Sequence, residues 1–482
     1  MGRAVVVCVD VGSTFTKAAA VGPDGSVRAT AQHATTSGSD VLHGVDAAVA
    51  GLGIGPVADE ALVVCSSAGG GLRLAVIGQE RVISAEAGRR VALSAGARVV
   101  AVSAGRLDAA GLCELSAARA DVVLVVGGTD GGDGEVLLHN ARVLGRSALR
   151  TPVVLAGNTT VADEAAALLR ARRRVVHVSA NVIPRIGTLA PGPARRTIRE
   201  VFIAHVIGGK GLSRGRRFPG LVRCATPDAV LAGIEVLAEV LAEQPGASGD
   251  VLALDVGGAT TDVYSVLAPD EQADEHAVAT LWHGRSVEGD LGMRWSAPDV
   301  VRAAQAEQLV AGASGVIVLS AAAERRHAEV GFLPSSGDEV ADELELARLA
   351  ALVAVRRHGR PGPDGVRDLT HVGLLIGSGG VLRHAASAAA DAVLDTVLTD
   401  YAGGWPLPQQ ARTMVDRRYL LAPIGLLALA GEGQQARRLA ADLLSEQLGP
   451  AGDWSGQATG PGTQHRAAGD AGWRPAPRQR LS

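Results

Sequence analysis

Three residue classes are scarce in this chain, and each scarcity closes off a class of function. Aromatic residues make up 2% of the 482 positions, so the interior must be packed with Ala, Val and Leu. Proteins that read nucleic acid by stacking bases on aromatic rings need what this chain lacks. Lysine occurs only as Lys17 and Lys210, although Lys and Arg together number 46. Both lie in or beside Gly-rich segments, and at Lys17 a compact ammonium would suit a phosphate. Cysteine occurs four times, as Cys8, Cys65, Cys113 and Cys224. None forms a CxxC pair, which argues against a zinc site, an iron–sulfur ligand set and a disulfide framework.

Charge and hydropathy exclude more. A net charge of −4 gives no field that would gather the protein onto phosphate backbones or anionic membranes. No apolar stretch is long enough, and free enough of charge and turn residues, to span a bilayer. The sequence opens directly into the strand-like run Ala4–Val9, without the pattern of a signal peptide. These features predict a cytoplasmic protein with no nucleic-acid or membrane partner. The 12 histidines form no spaced metal-binding pair.

The organisation is α/β. Val5–Asp10, Thr16–Val21 and Val27–His33 read as strands, the last two joined by the turn Gly22–Gly25. Asp40–Leu52 has helical spacing, and Ala61–Cys65 is a further strand. From about residue 85 to 211, strand-like runs at Val99–Val102, Asp121–Val126, Val153–Ala156 and Val175–Val178 alternate with Ala-rich helical segments. That rhythm predicts an inserted parallel sheet with helices on both faces. Pro227–Gln244 reads as a helix, Val251–Asp255 and Asp262–Leu267 as strands, Glu339–Arg357 as a helix and His371–Ile376 as a strand. The expected domains are 1–85, an insert at 86–211, 212–449, and a disordered tail at 450–482.

Two segments carry the chemistry. Asp10-Val-Gly-Ser-Thr-Phe-Thr-Lys17 and Asp255-Val-Gly-Gly-Ala-Thr-Thr-Asp262 form a weak internal repeat: an apolar strand, an Asp at its end, Gly two residues on, hydroxyl residues, then another strand. Such a turn presents backbone N–H groups, and glycine lets the chain approach phosphate oxygens closely. The aspartates suit Mg²⁺ or its water shell rather than phosphate itself. Either loop alone reads equally as an ordinary turn; the pair, with a third Gly-rich turn at Gly377–Gly380, points to a nucleotide clamp.

The pattern resembles the actin, sugar-kinase and heat-shock-seventy superfamily, in which two like lobes flank a nucleotide cleft. Leu374-Leu-Ile-Gly-Ser-Gly-Gly-Val-Leu382 resembles its adenosine motif, and Val287-Glu-Gly-Asp-Leu-Gly-Met-Arg294 the turn after its second phosphate loop. A narrower resemblance, to the MutL/GlmL family of glutamate mutase accessory proteins, rests on both Asp loops together with Cys65-Ser-Ser-Ala-Gly-Gly-Gly-Leu72, Gly127-Gly-Thr-Asp-Gly-Gly132, Ala156-Gly-Asn158 and Asn181-Val-Ile-Pro184. It covers most of residues 1–430. It departs at Asp133, where Asn is expected, and the tail has no counterpart.

The resemblance implies two actin-like, ribonuclease H-like lobes around a nucleotide cleft, with ATP and Mg²⁺ as cofactors. It assigns Asp10 and Asp255 to Mg²⁺ and water and Asp262 to an assisting role. Gly12, Ser13, Thr14, Lys17, Gly257, Gly258 and Thr260 would hold phosphates, and Gly377, Gly379 and Gly380 would face the nucleoside. The implied partner is an adenosylcobalamin-dependent mutase, reactivated by an ATP-driven chaperone. A small-molecule kinase, a dehydratase activator and a non-hydrolysing scaffold remain as rivals. Gly127–Asp133 reads as a partner or anion site or as a tight turn, and Arg172–Arg174 with Arg195–Arg196 as a solvated face.

Overall fold

A computed structural model describes residues 5–68, 72–95, 97–207, 211–267, 283–310, 312–360 and 368–448. Gly69–Gly71, Lys210, the acidic turn at 269–276 and the tail at 450–482 lie outside these residues, as does most of the Pro/Gly linker.

The chain begins with β1 (Val6–Val11), β2 (Phe15–Val21), β3 (Val27–Ala34) and β4 (Leu62–Ser66). It then forms β5 (Leu72–Gly78), β6 (Ala97–Ala104), β7 (Val122–Val125), β8 (Val153–Leu155) and β9 (Val176–Val178) before returning through β10 (Val222–Ala225). The last third supplies β11 (Val251–Val256), β12 (Thr261–Val266), β13 (His283–Glu288), β14 (Leu374–Ser378) and β15 (Arg412–Val415).

These strands build three five-stranded sheets. The first has the order β3-β2-β1-β4-β10 and the second β13-β12-β11-β14-β15. In each, three antiparallel strands are followed by two that run parallel to the central one. The two sheets therefore share one topology, and the lobes are actin-like, as the repeated Asp loops led us to expect.

The third sheet is entirely parallel, in the order β6-β5-β7-β8-β9. That is the doubly wound arrangement whose ligand crevice lies where the order reverses, beyond the carboxyl ends of β5 and β7. The boundaries set from sequence shift here. Leu72–Gly78 is the second strand of the insert's sheet, paired between β6 and β7, rather than part of the first lobe, and Val222–Ala225 completes the first lobe's sheet rather than the second's.

Packing follows apolar content. One core joins the face of β1 and β2 to the insert through Leu74, Val76, Leu124 and Val154. A second lies between the lobes and a third fills the second lobe. The 17-residue helix Thr226–Ala242 leaves the first lobe's sheet at β10 yet packs near β11 and β12, while Leu421–Leu429 leaves β15 and packs on β1 and β4. Each lobe thus lends a helix to the other. The two helices cross at Gly233 and Gly425, so closely that a Cβ at either position would fall within 2 Å of backbone oxygen, at 1.9 Å from Leu421 O and 1.8 Å from Ala229 O.

Local signals explain several boundaries. Asp40 caps the helix Val41–Ala50 by accepting from the Leu42 N–H at 2.9 Å. Ser336 and Glu339 form a reciprocal capping box at the start of the 23-residue helix Gly337–Gly359. No described helix is long and apolar enough to cross a membrane.

Candidate functional site

The two Asp loops are the same hairpin built twice. In the first, Asp10 lies opposite Lys17 and Val11 opposite Thr16; in the second, Asp255 lies opposite Asp262 and Val256 opposite Thr261. Each turn closes with one equivalent bond, Gly12 N–H to Phe15 O at 3.1 Å and Gly257 N–H to Thr260 O at 2.9 Å. The glycine is required in both, because a Cβ would meet that same carbonyl oxygen at 2.8 Å and 2.9 Å. Ser13, Thr14 and Gly258 are exposed at the tips, with Gly12, Gly257 and Thr260 half-buried behind them.

The third element joins the second loop directly. Gly379 has φ +94°, and a Cβ there would lie 2.2 Å from Val256 O, so β14 and β11 meet at full backbone contact. Gly377 is buried, whereas a Cβ on Gly380 would enter open space. The sequence-predicted turn also seats as expected: the N–H groups of Met293, Arg294 and Trp295 donate to Gly257 and Gly258 oxygens at 2.9, 2.8 and 3.0 Å.

The two loop aspartates differ in what surrounds them. Asp10 is 4% exposed and both its oxygens are engaged. Oδ1 accepts from Thr226 Oγ1 at 2.5 Å and Cys65 Sγ at 3.4 Å; Oδ2 accepts from the Tyr419 hydroxyl at 2.9 Å, with Lys17 Nζ 3.8 Å away. Asp255 is half-buried, and no hydrogen bond to its carboxylate is seen among the described residues. Burial pushes it up to about 6; the charges of Asp262 and Asp10 add to the rise, while Lys17 and Arg383 oppose it. Charges from both lobes thus act on one carboxylate.

Asp262 is held by Arg285, whose Nη2 donates to Oδ1 at 3.1 Å. Its carboxyl is nevertheless raised, because burial outweighs the guanidinium. Lys17 points into the cleft with its ammonium 3.5 Å from the centroid of the Tyr419 ring. A cavity of about 280 Å³ lies beside this group, lined by Asp10, Lys17, Arg383, His384, Arg417 and Tyr419 among others. It flanks the hairpins and is not lined by Gly12–Thr14 or Gly257–Thr260.

Sequence reasoning missed Thr226, Arg383, Asp416 and Tyr419. Asp416 is buried and accepts from the Leu420 and Leu421 N–H groups at 2.7 and 3.0 Å, fixing the turn that carries Tyr419. One signal was available: Tyr419, one of three tyrosines, opens an apolar helical run in a chain poor in aromatics.

The described residues make no ready-built metal site, so a hard divalent cation here would have to bring most of its ligands as water and phosphate. Asp255 offers a carboxylate, and the neighbouring acid groups that raise its pKa are the kind of cluster a cation relieves. No group of three or more His, Cys, Asp or Glu side chains among the described residues could hold a metal ion. Mg²⁺ suits such a site, because it keeps several waters and takes its other ligands from phosphate.

In the insert, Gly127–Asp133 stands at the carboxyl end of β7, at the point of order reversal. Two buried amides brace it. Asn158 Nδ2 donates to Gly132 O, and Asn181 Nδ2 to Gly128 O and Asp130 Oδ1, each at 2.9 Å. The sequence reading of Arg172–Arg174 and Arg195–Arg196 as a solvated face does not hold for all of them. Arg174 is 5% exposed and donates to Leu144 and Leu149 oxygens, and Arg195 pairs with Glu235 at 3.1 Å.

The family described as MutL protein matches residues 6–446. Protein MutL of Clostridium tetanomorphum is 34% identical over 441 residues, covering 87% of this chain and 95% of that protein. Among solved structures, a ROK family glucokinase from Streptomyces griseus with glucose and AMPPNP is 13% identical at a TM-score of 0.33, covering 90% of this chain and 100% of that one. The activator of 2-hydroxyisocaproyl-CoA dehydratase from Clostridium difficile with bound ADPNP is 9% identical at a TM-score of 0.29, covering 92% and 98%. Likenesses at these scores add nothing to the topology above.

Proposed function

Because the chain belongs to the MutL protein family, we propose that it is an ATP-binding and hydrolysing accessory protein that reactivates an adenosylcobalamin-dependent mutase of the glutamate mutase type. The observation that carries the nucleotide half is the duplicated hairpin, with Asp10 and Lys17 on one side and Asp255 on the other. Bound Mg²⁺ would neutralise charge on the β- and γ-phosphates. Ser13 and Thr14 from one lobe, and Gly258 and Thr260 from the other, supply N–H and hydroxyl donors to the phosphates, while Gly12 and Gly257 close the turns that present them and let the chain approach the phosphate oxygens. Gly377, Gly379 and Gly380 let the nucleoside lie against backbone.

Asp255 is the group suited to orient an attacking water and accept its proton. Burial and the neighbouring carboxylates raise its carboxyl above the usual aspartate range, which strengthens it as a base. Asp262 acts through Asp255, holding a second negative charge behind it, and Arg285 keeps that charge in place. Asp10 organises the cation from the opposite lobe. The crossed helices at Gly233 and Gly425 make the lobes one mechanical unit, so a change in cleft width is passed to the outer surface.

Work on a partner requires that the ATP and ADP states touch it differently. The braced loop Gly127–Asp133 is the proposed contact, since it lies outside the nucleotide elements. The test is to inactivate the mutase by turnover, then add this protein, Mg-ATP and fresh coenzyme. Recovery that requires hydrolysable ATP supports the proposal. Equal recovery with a non-hydrolysable analogue, or without the protein, refutes it. A small-molecule kinase is the second reading, favoured by the cavity beside Asp10; phosphate transferred to an added acceptor rather than water would identify it.

A further inference from the structure

Tyr419 joins the two lobes at Asp10 and Lys17 of the first phosphate loop. It follows β15 of the second lobe, and its hydroxyl reaches Asp10 of the first lobe across 409 residues of sequence. Its backbone has φ +57°, a conformation uncommon for any side chain and rare for a bulky one. It is 8% exposed. Two cations stand over its ring, with Lys17 Nζ at 3.5 Å and Arg383 Cζ at 5.1 Å from the centroid. Burial and the charges of Asp10 and Asp255 hold its hydroxyl well above the usual tyrosine range, so it remains a donor.

The consequence concerns supply and demand at Asp10. Its two oxygens already accept from Thr226, Cys65 and Tyr419, and the first lobe's only loop cation is held over the Tyr419 ring. With Asp10 4% exposed, a metal-bound water reaches Oδ2 only if a neighbour gives way, and Tyr419 is the neighbour bonded to that oxygen; a phosphate reaching Lys17 likewise draws its ammonium off the Tyr419 ring. Thr226 does not compete in the same way, because it bonds Oδ1 from within the first lobe's own framework.

We propose that Tyr419 is an internal ligand of the first phosphate loop: a positioning residue on one lobe that holds Asp10 and Lys17 of the other until Mg-ATP displaces it. The proposal rests on the nucleotide reading of the cleft and goes beyond it, since it assigns the affinity for Mg-ATP to a competing contact. Tyr419→Phe keeps the ring beneath Lys17 and removes only the hydroxyl.

Titration calorimetry of the full chain tests it. Tyr419→Phe should bind Mg-ATP about three- to tenfold tighter than wild type, the scale of one hydrogen bond that no longer has to be exchanged. Metal-free ATP, which brings no cation to Asp10, should bind both equally. A residue with only a structural role would weaken binding or leave it alone. Equal or weaker Mg-ATP binding by Tyr419→Phe, at an unchanged melting temperature, overturns the proposal. A second readout needs no nucleotide. In a cycle of Tyr419→Phe, Asp10→Asn and the double variant, the melting temperature of the double should fall no further than that of the worse single. Additive falls refute the contact. If wild type binds no Mg-ATP, the cleft reading fails, while the cycle still decides the tie between Tyr419 and Asp10.

Discussion

Gly425→Ala puts one methyl group where the lobes exchange helices. The added Cβ would lie 1.8 Å from Ala229 O and 2.7 Å from Gly233 N. Ordinary contact begins near 3.4 Å, so the helices must separate by about 1.6 Å at their closest point. Overpacking costs about 1–3 kcal/mol in general, and the obstructing atoms here are backbone that cannot rotate aside, so about 3 kcal/mol is expected. For a cooperative unit of 150–250 residues that is a drop of roughly 6–12 °C in melting temperature. Thermal melting followed by circular dichroism measures it. Gly38→Ala is the control, because Gly38 is exposed and a Cβ there meets nothing within 4 Å. If Gly425→Ala melted with the control, the close crossing would be wrong, and with it the claim that the lobes are mechanically joined there.

Three further outcomes are expected. The raised Asp255 carboxyl, at about 6 against an ordinary value of about 3.9, means the folded state holds that proton more tightly than the unfolded state. Its effect on stability is therefore absent below about pH 4 and becomes a loss as pH rises through 6. Asp255→Asn should melt above wild type at pH 8 and with it at pH 4, and a reversed order would contradict the cause given. Gly379→Ala, at φ +94° and 2.2 Å from Val256 O, should separate β14 from β11 and abolish Mg-ATP-induced stabilisation; a normal ATP-dependent shift in melting temperature would contradict it. Asn181→Ala removes three bonds from a side chain that is 3% exposed, at about 1–3 kcal/mol. Hydrogen exchange should rise at residues 127–133 while Mg-ATP binding is unchanged.

What could be read in the sequence was local. Asp10 and Asp255 stand out because each ends an apolar strand and is followed two residues later by a glycine that the turn requires. The parallel insert was visible in its alternating runs, and Asp40 and Ser336 mark helix starts by cap chemistry. What escaped depends on distance along the chain. Leu72–Gly78 follows a Gly-rich loop and reads as its continuation, yet it is an inner strand of the insert's sheet, between β6 and β7. The short edge strands β13 and β15 carry little periodicity of their own and exist because β12 and β14 are there to pair with them. Arg174 looks like one member of a basic run; only the fold shows it buried against Leu144 and Leu149. Tyr419 belongs to the site through a contact that no local pattern encodes.

The central claim is that the paired hairpins form one Mg²⁺-dependent ATP site in which Asp255 acts on water. Phosphate release by wild type and Asp255→Asn, measured with Mg-ATP beside the ATP-dependent shift in melting temperature, tests it most directly. The account predicts that Asp255→Asn keeps the shift and loses release to below roughly a tenth of wild type. Retained release in the variant, or no ATP-dependent shift in wild type at millimolar Mg-ATP, would contradict it.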